Sequence, residues 1–463
     1  MYTQAHTHAE PKCALLSGLA DDVMRIGFLR FSSLLSPAGR RLGRNAAWLL
    51  LDRLIRILLG LSVGAWVARH LGPEAFGRLS FSVAIVAMLQ AVANLGADPI
   101  IVRDLARSER EAGEILGTAF AFRLITGVIA WIAGSLVAYA LSGGDENAAL
   151  LTAIVGGALV FQAADTIDLW FQSRGENRRS VIPKVIGYVT SNLFKVVLIV
   201  RDAPIEAFAL ALTIDAVLGA IGLAIALRRF PTKAPWIATI QRGRLLALEA
   251  SPFLVGNIAI LLYMRIDQVL LKHYSGNAAL GMYSAALTLS TFPGFIPVLL
   301  NTVFAPRFAE LKIASEHAYQ RELRMLFQLY AGLGILFSVG ISAFSGIAIS
   351  ALFGSNYAPA AALLAIHSVT NVFIFLGVAQ FLWIVNEGKG LTAIYKSLAG
   401  LIVCVVSNVL LIPRLGARGA AISAVIVQFI ASVGINALIA PQIFSLQIAA
   451  LSPAAWIRSR RMG

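Results

Sequence analysis

The chain has 463 residues, of which 58% are hydrophobic and only 13% charged, with a formal net charge of +14. Its mean hydropathy of +0.78 is more than a soluble core can hide, so a soluble globular protein is excluded and an all-α, polytopic membrane protein is expected. The basic residues sit mostly in short segments between apolar runs, the positive-inside pattern, so nucleic acid is not an expected partner.

Taken in order, residues 1–44 form a basic amino-terminal segment without the apolar stretch and small-residue cleavage site of a secretory signal. Met24 opens an amphipathic stretch, MRIGFLRFSSLLSPAGRRLGRN, so residues 1–23 read as a disordered tail or a misassigned start. Apolar runs of about 20 residues, the length that crosses a bilayer, follow at 46–68, 77–97, 115–141, 148–171, 181–200 and 205–227. A second set lies at 250–273, 281–303, 325–352, 358–385, 391–412 and 418–440. This predicts twelve helices in two lobes, 45–227 and 250–441. Residues 228–249, with Trp236, Ile237, Ile240, Leu245 and Leu248 on an apolar side, are expected to form an amphipathic linker helix on the cytoplasmic membrane surface. Residues 442–463 are expected to be a basic cytoplasmic tail.

The two sets of runs also match each other. LGLSVGAWVARHLGPEAFGRLSFSVAIV places Gly72, Gly77 and Ser80 as Gly276, Gly281 and Ser284 stand in the second half. Arginine and lysine clusters alternate with apolar runs: Arg103, Arg107 and Arg110 after helix 2, Arg174, Arg178, Arg179 and Lys184 after helix 4, and Arg458, Arg460 and Arg461 at the end. That parity puts both termini in the cytoplasm. No loop on the opposite side exceeds about ten residues, which leaves little room for an extracytoplasmic enzyme site.

A charge near the bilayer centre costs on the order of 3 kcal/mol on insertion scales, so each must face a cavity or a partner. Helix 1 carries Asp52, Arg53 and Arg56. Asp52 and Arg56 lie about 40° apart on one face, which fits a salt bridge and a ligand contact equally well. Gly60 and Gly64 continue that side as a small-xxx-small pair for close helix approach. Helix 7 carries Arg265 and Asp267, about 200° apart; Arg265 shares its side with Gln268 and Lys272 and is expected to face the lumen, with Asp267 packed against another helix. Asp165 and Asp168, one turn apart on helix 4, suit either a coupling cation or the nearby Arg174 and Arg178. Arg123, Lys195, Asp215, His367 and Lys396 complete the buried ionisable set, with His367 read as a packing residue. The lumen then holds more positive than negative charge, and arginine's planar fork suits phosphate. There is no phosphate-binding GxxxxGK[ST], no HExxH and no nucleophile elbow. The two cysteines, Cys13 and Cys404, make no disulfide or metal framework. No enzyme, metal site or cofactor is expected.

Six segments in order carry a family likeness: WLLLDRLIRILLGLSVGAWVARHLGPEAFGRLSFS (48–82), LGADPIIVRDLAR (95–107), DLWFQSRGENRRSVIPKV (168–185), YMRIDQVLLKHYSGNAALGMYSAALTLS (263–290), LFGSNYAPAAALLAIHS (352–368) and LIPRLGARGAAIS (411–423). Together they resemble the Wzx-type polysaccharide flippases, within the superfamily of multidrug and toxin extrusion transporters and lipid II flippases. The resemblance implies two six-helix bundles around a central cavity, in a bacterial inner membrane. It implies a cargo of undecaprenyl-diphosphate-linked oligosaccharide, moved to the outer leaflet. The glycan made is O-antigen, capsule, exopolysaccharide or another cell-surface polymer; the transport energy comes from an ion gradient (H+ or Na+), from downhill cargo flow or from a partner ATPase, and polysaccharide assembly proteins are candidate partners. By residue match Arg53, Arg56, Arg265 and Asp267 fall in the family's charged patterns. Arg123 and Lys195 join the arginines as cavity candidates, and Asp52, Asp165, Asp168 and Asp215 join Asp267 as coupling or ion-pair candidates. One departure is visible: Ser290, Thr291, Phe292 and Pro293 stand where many members have an acid and aromatics. Two rivals are a cation-coupled drug exporter, which the arginines disfavour, and a membrane polymerase or ligase, which the short outer loops disfavour. A non-transporting scaffold is the third.

Overall fold

A computed structural model describes residues 37–94, 96–232 and 234–452. Of the expected tails at 1–44 and 442–463, residues 1–36 and 453–463 lie outside the described residues, whereas 37–44 are helical and 442–451 belong to the helix Pro441–Leu451. Among the described residues every regular element is helical. The first half contains α1 (Pro37–Asn94), α2 (Asp98–Arg107), α3 (Ala112–Leu141), α4 (Glu146–Ser173), α5 (Arg178–Val200) and α6 (Ile205–Arg229). Next come α7 (Ile240–Tyr263), α8 (Ile266–Ser290), α9 (Phe295–Ala314), α10 (Glu316–Ala343) and α11 (Ser345–Phe353). The last four are α12 (Ala360–Asn386), α13 (Gly390–Leu415), α14 (Ala417–Ile439) and α15 (Pro441–Leu451). Nine stretches of the described residues are long and apolar enough to cross a membrane, one of them the 57 residues Ile258–Ala314. The chain is a multi-pass, all-α membrane protein. Ile125, Ile129 and Leu136 of α3 stand 60%, 60% and 64% exposed, as a lipid-facing surface requires and an aqueous one would not tolerate in such numbers.

Two glycines bend α1 and α8 in the same way. α1 breaks at Gly72 (φ 73, ψ 170) and α8 at Gly276 (φ 82, ψ 179), a backbone region that a Cβ makes strained. Pro73 follows the first break, where its fixed φ and missing N–H suit the first turn of the second arm. The two bends meet. A Cβ on Gly77 would lie 1.8 Å from the Asn277 carbonyl oxygen, and one on Gly281 1.9 Å from the Pro73 oxygen, so only glycine permits this main-chain contact. Asn277 Nδ2 donates to Glu74 Oε1 at 2.8 Å across the same junction. Beneath it, Phe81 and Ile85 of α1 share one core with Leu280 and Tyr283 of α8, Phe353 of α11 and Leu364 of α12. Tyr357 anchors this core by donating to the Ala68 carbonyl at 2.8 Å.

Helix 7 is not the continuous span expected at 250–273. It is divided at Met264 and Arg265, with Arg265 at φ −133, ψ −19 ahead of α8. The Tyr263 carbonyl at the break accepts from Cys404 Sγ at 3.4 Å, so the interruption is met by a neighbouring helix. The linker also differs from the expected surface helix. Helix α6 stops at Arg229, and the chain between it and α7 crosses the amino-terminal end of α3 as non-helical backbone. Ile237 N donates to the Gly113 carbonyl at 3.2 Å, and Gly117 lets the Ile237 backbone come within contact of α3. Thr239 then caps α7, accepting from Arg242 N at 3.3 Å. Two prolines, Pro231 and Pro235, disfavour a helix through this strap.

Candidate functional site

A cavity of about 440 Å³ lies between both arms of α1, α5, α6 and α8. Its charged lining residues are Lys195 of α5, Asp215 of α6 and Arg265 at the start of α8, two cations against one anion. Gly60 and Gly64 thin the wall on the α1 side, which is why a helix as broad as α1 leaves room there. At the Gly72 and Gly276 end the cavity runs toward the glycine contact described above, Phe76 being the lining residue nearest it in sequence. The break in helix 7 sets Arg265 beside the amino-terminal end of α8, where the helix dipole adds partial positive charge.

The other candidates are distributed as follows. Arg56 pairs with Asp52 at 2.9 Å, lies 4.7 Å over the Tyr188 ring and donates to the Lys184 carbonyl at 3.5 Å. Tyr188 donates back to the Arg56 carbonyl at 3.1 Å and itself lines the cavity, so Arg56 stiffens the cavity wall from behind. Arg53 is exposed and does not line the cavity. Arg123 is buried and ion-paired with Asp98, away from the cavity. Asp165 and Asp168 are bridged by Lys184, at 3.0 and 3.1 Å, rather than by Arg174, which pairs with Glu109, or Arg178, which lies over the Trp48 ring. Asp267 is buried; Tyr283 donates to it at 2.5 Å and Gln268 N at 2.8 Å. His367 Nδ1 shares a 2.7 Å hydrogen bond with Ser290 Oγ, and Lys396 donates to Gln380. The twelve ionisable residues therefore separate into a cavity set (Lys195, Asp215, Arg265), a wall pair (Asp52, Arg56), an inner-core acid (Asp267) and paired or exposed residues elsewhere.

The neutral polar lining residues, which carry no charge to mark them, include Tyr188, Asn192, Gln268 and Ser284. Gln268 was detectable as the residue one turn beyond Arg265 on the same face, and Ser284 as the duplicate of Ser80, which also lines the cavity. Tyr188 and Asn192 had no signal, since an aromatic and an amide in an apolar run are more often packing residues. Outside the cavity, the strap and α7 are tied to the first half by Arg242 with Asp104 (3.5 Å) and Glu111 (3.4 Å), and by Arg103 with Glu249 (2.6 Å). Carboxylates on both sides of Arg103 hold its guanidinium above its ordinary pKa. Among the described residues no group of three or more His, Cys, Asp or Glu is placed to hold a metal ion.

Comparison with known proteins follows the same lines. A family profile described as "Polysaccharide biosynthesis protein" matches residues 42–312. The capsular polysaccharide biosynthesis protein CapF of Staphylococcus aureus is 29% identical over 169 residues, which are 36% of this chain and 42% of CapF. The aligned region thus spans less than half of that relative. Among solved structures, the lipid II flippase MurJ in an inward closed conformation superposes with a TM-score of 0.66 at 12% identity, covering 87% of this chain and 91% of MurJ. An inward-facing multidrug resistance MATE family transporter of the MOP superfamily superposes with a TM-score of 0.64 at 14% identity, covering 85% and 95%. A MOP superfamily transporter from Pyrococcus furiosus, described as having a binding pocket of reverse polarity, gives 0.56 at 15% identity, covering 88% and 96%.

Proposed function

Because the chain belongs to the polysaccharide biosynthesis protein family and shares the fold of MOP superfamily transporters, we propose that it is a Wzx-type flippase. It moves undecaprenyl-diphosphate-linked oligosaccharide from the cytoplasmic to the outer leaflet of a bacterial inner membrane. The observation that carries this reading is the cavity between the halves, with Lys195 contributed by the first half, Arg265 by the second and a net positive lining. The diphosphate sits between these two cations, the sugars fill the remaining volume and the polyprenyl tail stays in lipid. Arg56 and Asp52 hold Tyr188 in the wall rather than touching phosphate.

On the same reading the helix count is twelve. Adding the two arms of α1 to Ala112–Leu141, Glu146–Ser173, Arg178–Val200 and Ile205–Arg229 makes one set of six spans. Dividing Ile258–Ala314 at Gly276 makes the other set six as well. Both termini are then cytoplasmic, in keeping with the arginine-rich loops. The two bundles rock about the cavity in alternating access, with Gly77 against Gly281 closing the outer end. Asp267 and the Lys184-bridged Asp165 and Asp168 are the coupling candidates, for H+ or Na+. A drug exporter of the same fold is the second reading; a cavity with two cations and one carboxylate favours an anionic cargo over a cationic drug.

The test is leaflet exchange of a labelled undecaprenyl-diphosphate oligosaccharide in proteoliposomes, with and without an imposed pH or sodium gradient. Each charge-assisted contact contributes about 1.5–3 kcal/mol, so Arg265→Ala and Lys195→Met are each expected to slow exchange roughly tenfold or more, and Arg53→Ala to leave it within about twofold. Folded wild-type protein that exchanges no lipid-linked glycan, or exchange that survives the Arg265→Ala/Lys195→Met double substitution, would sink the proposal.

A further inference from the structure

The cavity contains two polar groups that its fixed charges do not explain. Gln268 is 3% exposed and Ser284 7% exposed, and both line the cavity. Gln268 Nε2 and Ser284 Oγ are buried and find no hydrogen-bond partner among the described residues. Leaving an amide and a hydroxyl unpaired in a membrane interior is unfavourable, and an alanine and a leucine would fill the same places without that cost. Two other polar side chains of the same helix are paired: Tyr283 bonds Asp267 within α8, and Ser290 bonds His367 of α12.

Position then says what the pair faces. Gln268 lies eight residues before the Gly276 break and Ser284 eight after it. At about 1.5 Å per residue both lie roughly 12 Å from the bend, at one depth on the two arms of α8. Arg265 is three residues further from the bend, so the pair lies roughly 4.5 Å beyond the arginine toward the glycine-sealed end. That offset is about the distance from a phosphate to the ring atoms of the sugar it carries. A primary amide both donates and accepts, a hydroxyl likewise, and neither brings charge; such groups recognise hydroxyl and acyl oxygens.

We infer that Gln268 and Ser284 read the sugar attached to the diphosphate, binding its hydroxyl or acylamino oxygens while Arg265 and Lys195 hold the phosphates. This rests on the flippase reading above and adds to it a specificity element carried by uncharged residues. It also distinguishes two sources of oxygen, the sugar and the diphosphate itself, which make different demands on an experiment.

The test measures binding of purified full-length protein to two probes, undecaprenyl diphosphate and undecaprenyl diphosphate carrying one N-acetylhexosamine. Gln268→Leu and Ser284→Ala are expected to weaken binding of the sugar-bearing lipid roughly five- to tenfold each, leave the sugar-free lipid unchanged, and keep Tm at or above the wild-type value, since each removes an unpaired polar group. Arg265→Ala is expected to weaken both probes alike. Equal loss on both probes for the Gln268 and Ser284 variants would make them phosphate contacts and overturn the inference, as would unchanged binding of the sugar lipid or a fall in Tm that marks a structural role. Wild-type protein that binds neither probe would instead overturn the flippase reading beneath it.

Discussion

The sharpest perturbation is a single methyl group at Gly281. Built on the observed backbone, the alanine Cβ lies 1.9 Å from the Pro73 carbonyl oxygen and 2.8 Å from its carbon. A carbon-to-oxygen contact needs about 3.3 Å, so α1 and α8 must part by about 1.4 Å where they meet. The obstacle is backbone on both sides, which has no rotamer to yield. Overpacking of this kind costs about 1–3 kcal/mol, and the cost falls only on the arrangement in which the two bends touch. The closed end should therefore lose roughly five- to 150-fold in population. The assay is thiol cross-linking of Glu74→Cys with Asn277→Cys, whose native side chains are 2.8 Å apart. The background is Cys13→Ser and Cys404→Ser, the second keeping a donor for the Tyr263 carbonyl. Cross-linking should slow by the same factor in Gly281→Ala, and flipping should fall with it. Cross-linking as fast as in the glycine protein would refute the main-chain seal.

Two further outcomes follow from contacts away from the cavity. Lys184→Met leaves Asp165 and Asp168 facing each other without their cation; because these carboxylates are 42% and 29% exposed, the penalty is discounted to about 1–2 kcal/mol. Thermal unfolding in detergent should therefore drop by a few degrees and recover when Asp165→Asn and Asp168→Asn are added; a loss that persists would point to packing instead. Gly117→Ala brings a Cβ to 2.5 Å from Ile237 N and should lift the strap from α3. Limited proteolysis between Pro231 and Thr239 is expected to quicken several-fold, and unchanged cleavage would mean that the strap shifts without releasing.

How far these features were legible depended on what kind of signal each left in the chain. Apolar runs of bilayer length are read directly, because lipid demands them, and the matching Gly72 and Gly276 patterns marked the two bends. The break at Arg265 left no such mark: Met264 and Arg265 interrupt helix 7 without proline or glycine, and the group that meets the freed carbonyl, Cys404, is 141 residues away. Among the charges, the Asp52 and Arg56 spacing indicated a pair because it is local. For Asp165 and Asp168 the sequence left a coupling cation and the nearest arginines as alternatives, whereas Lys184 reaches them from the next helix. Arg123 shows the same limit, since Asp98 belongs to a short helix that sequence reading treated as a loop. Neutral cavity residues such as Tyr188 and Asn192 were the hardest to find, because nothing about an amide or a phenol in an apolar run sets a wall residue apart from a packing one.

On the flippase reading proposed above, the glycine contact also bears on how the chain could change its cargo. The closest part of the seal is made from carbonyl oxygens and α-carbons, which a new ligand cannot reshape, with the Glu74 and Asn277 side chains beside it. Closure at that end is therefore indifferent to which sugar lies beneath it. If Gln268 and Ser284 read the sugar as inferred above, they could be exchanged for other residues, and the pocket retuned to another glycan, without disturbing the door above.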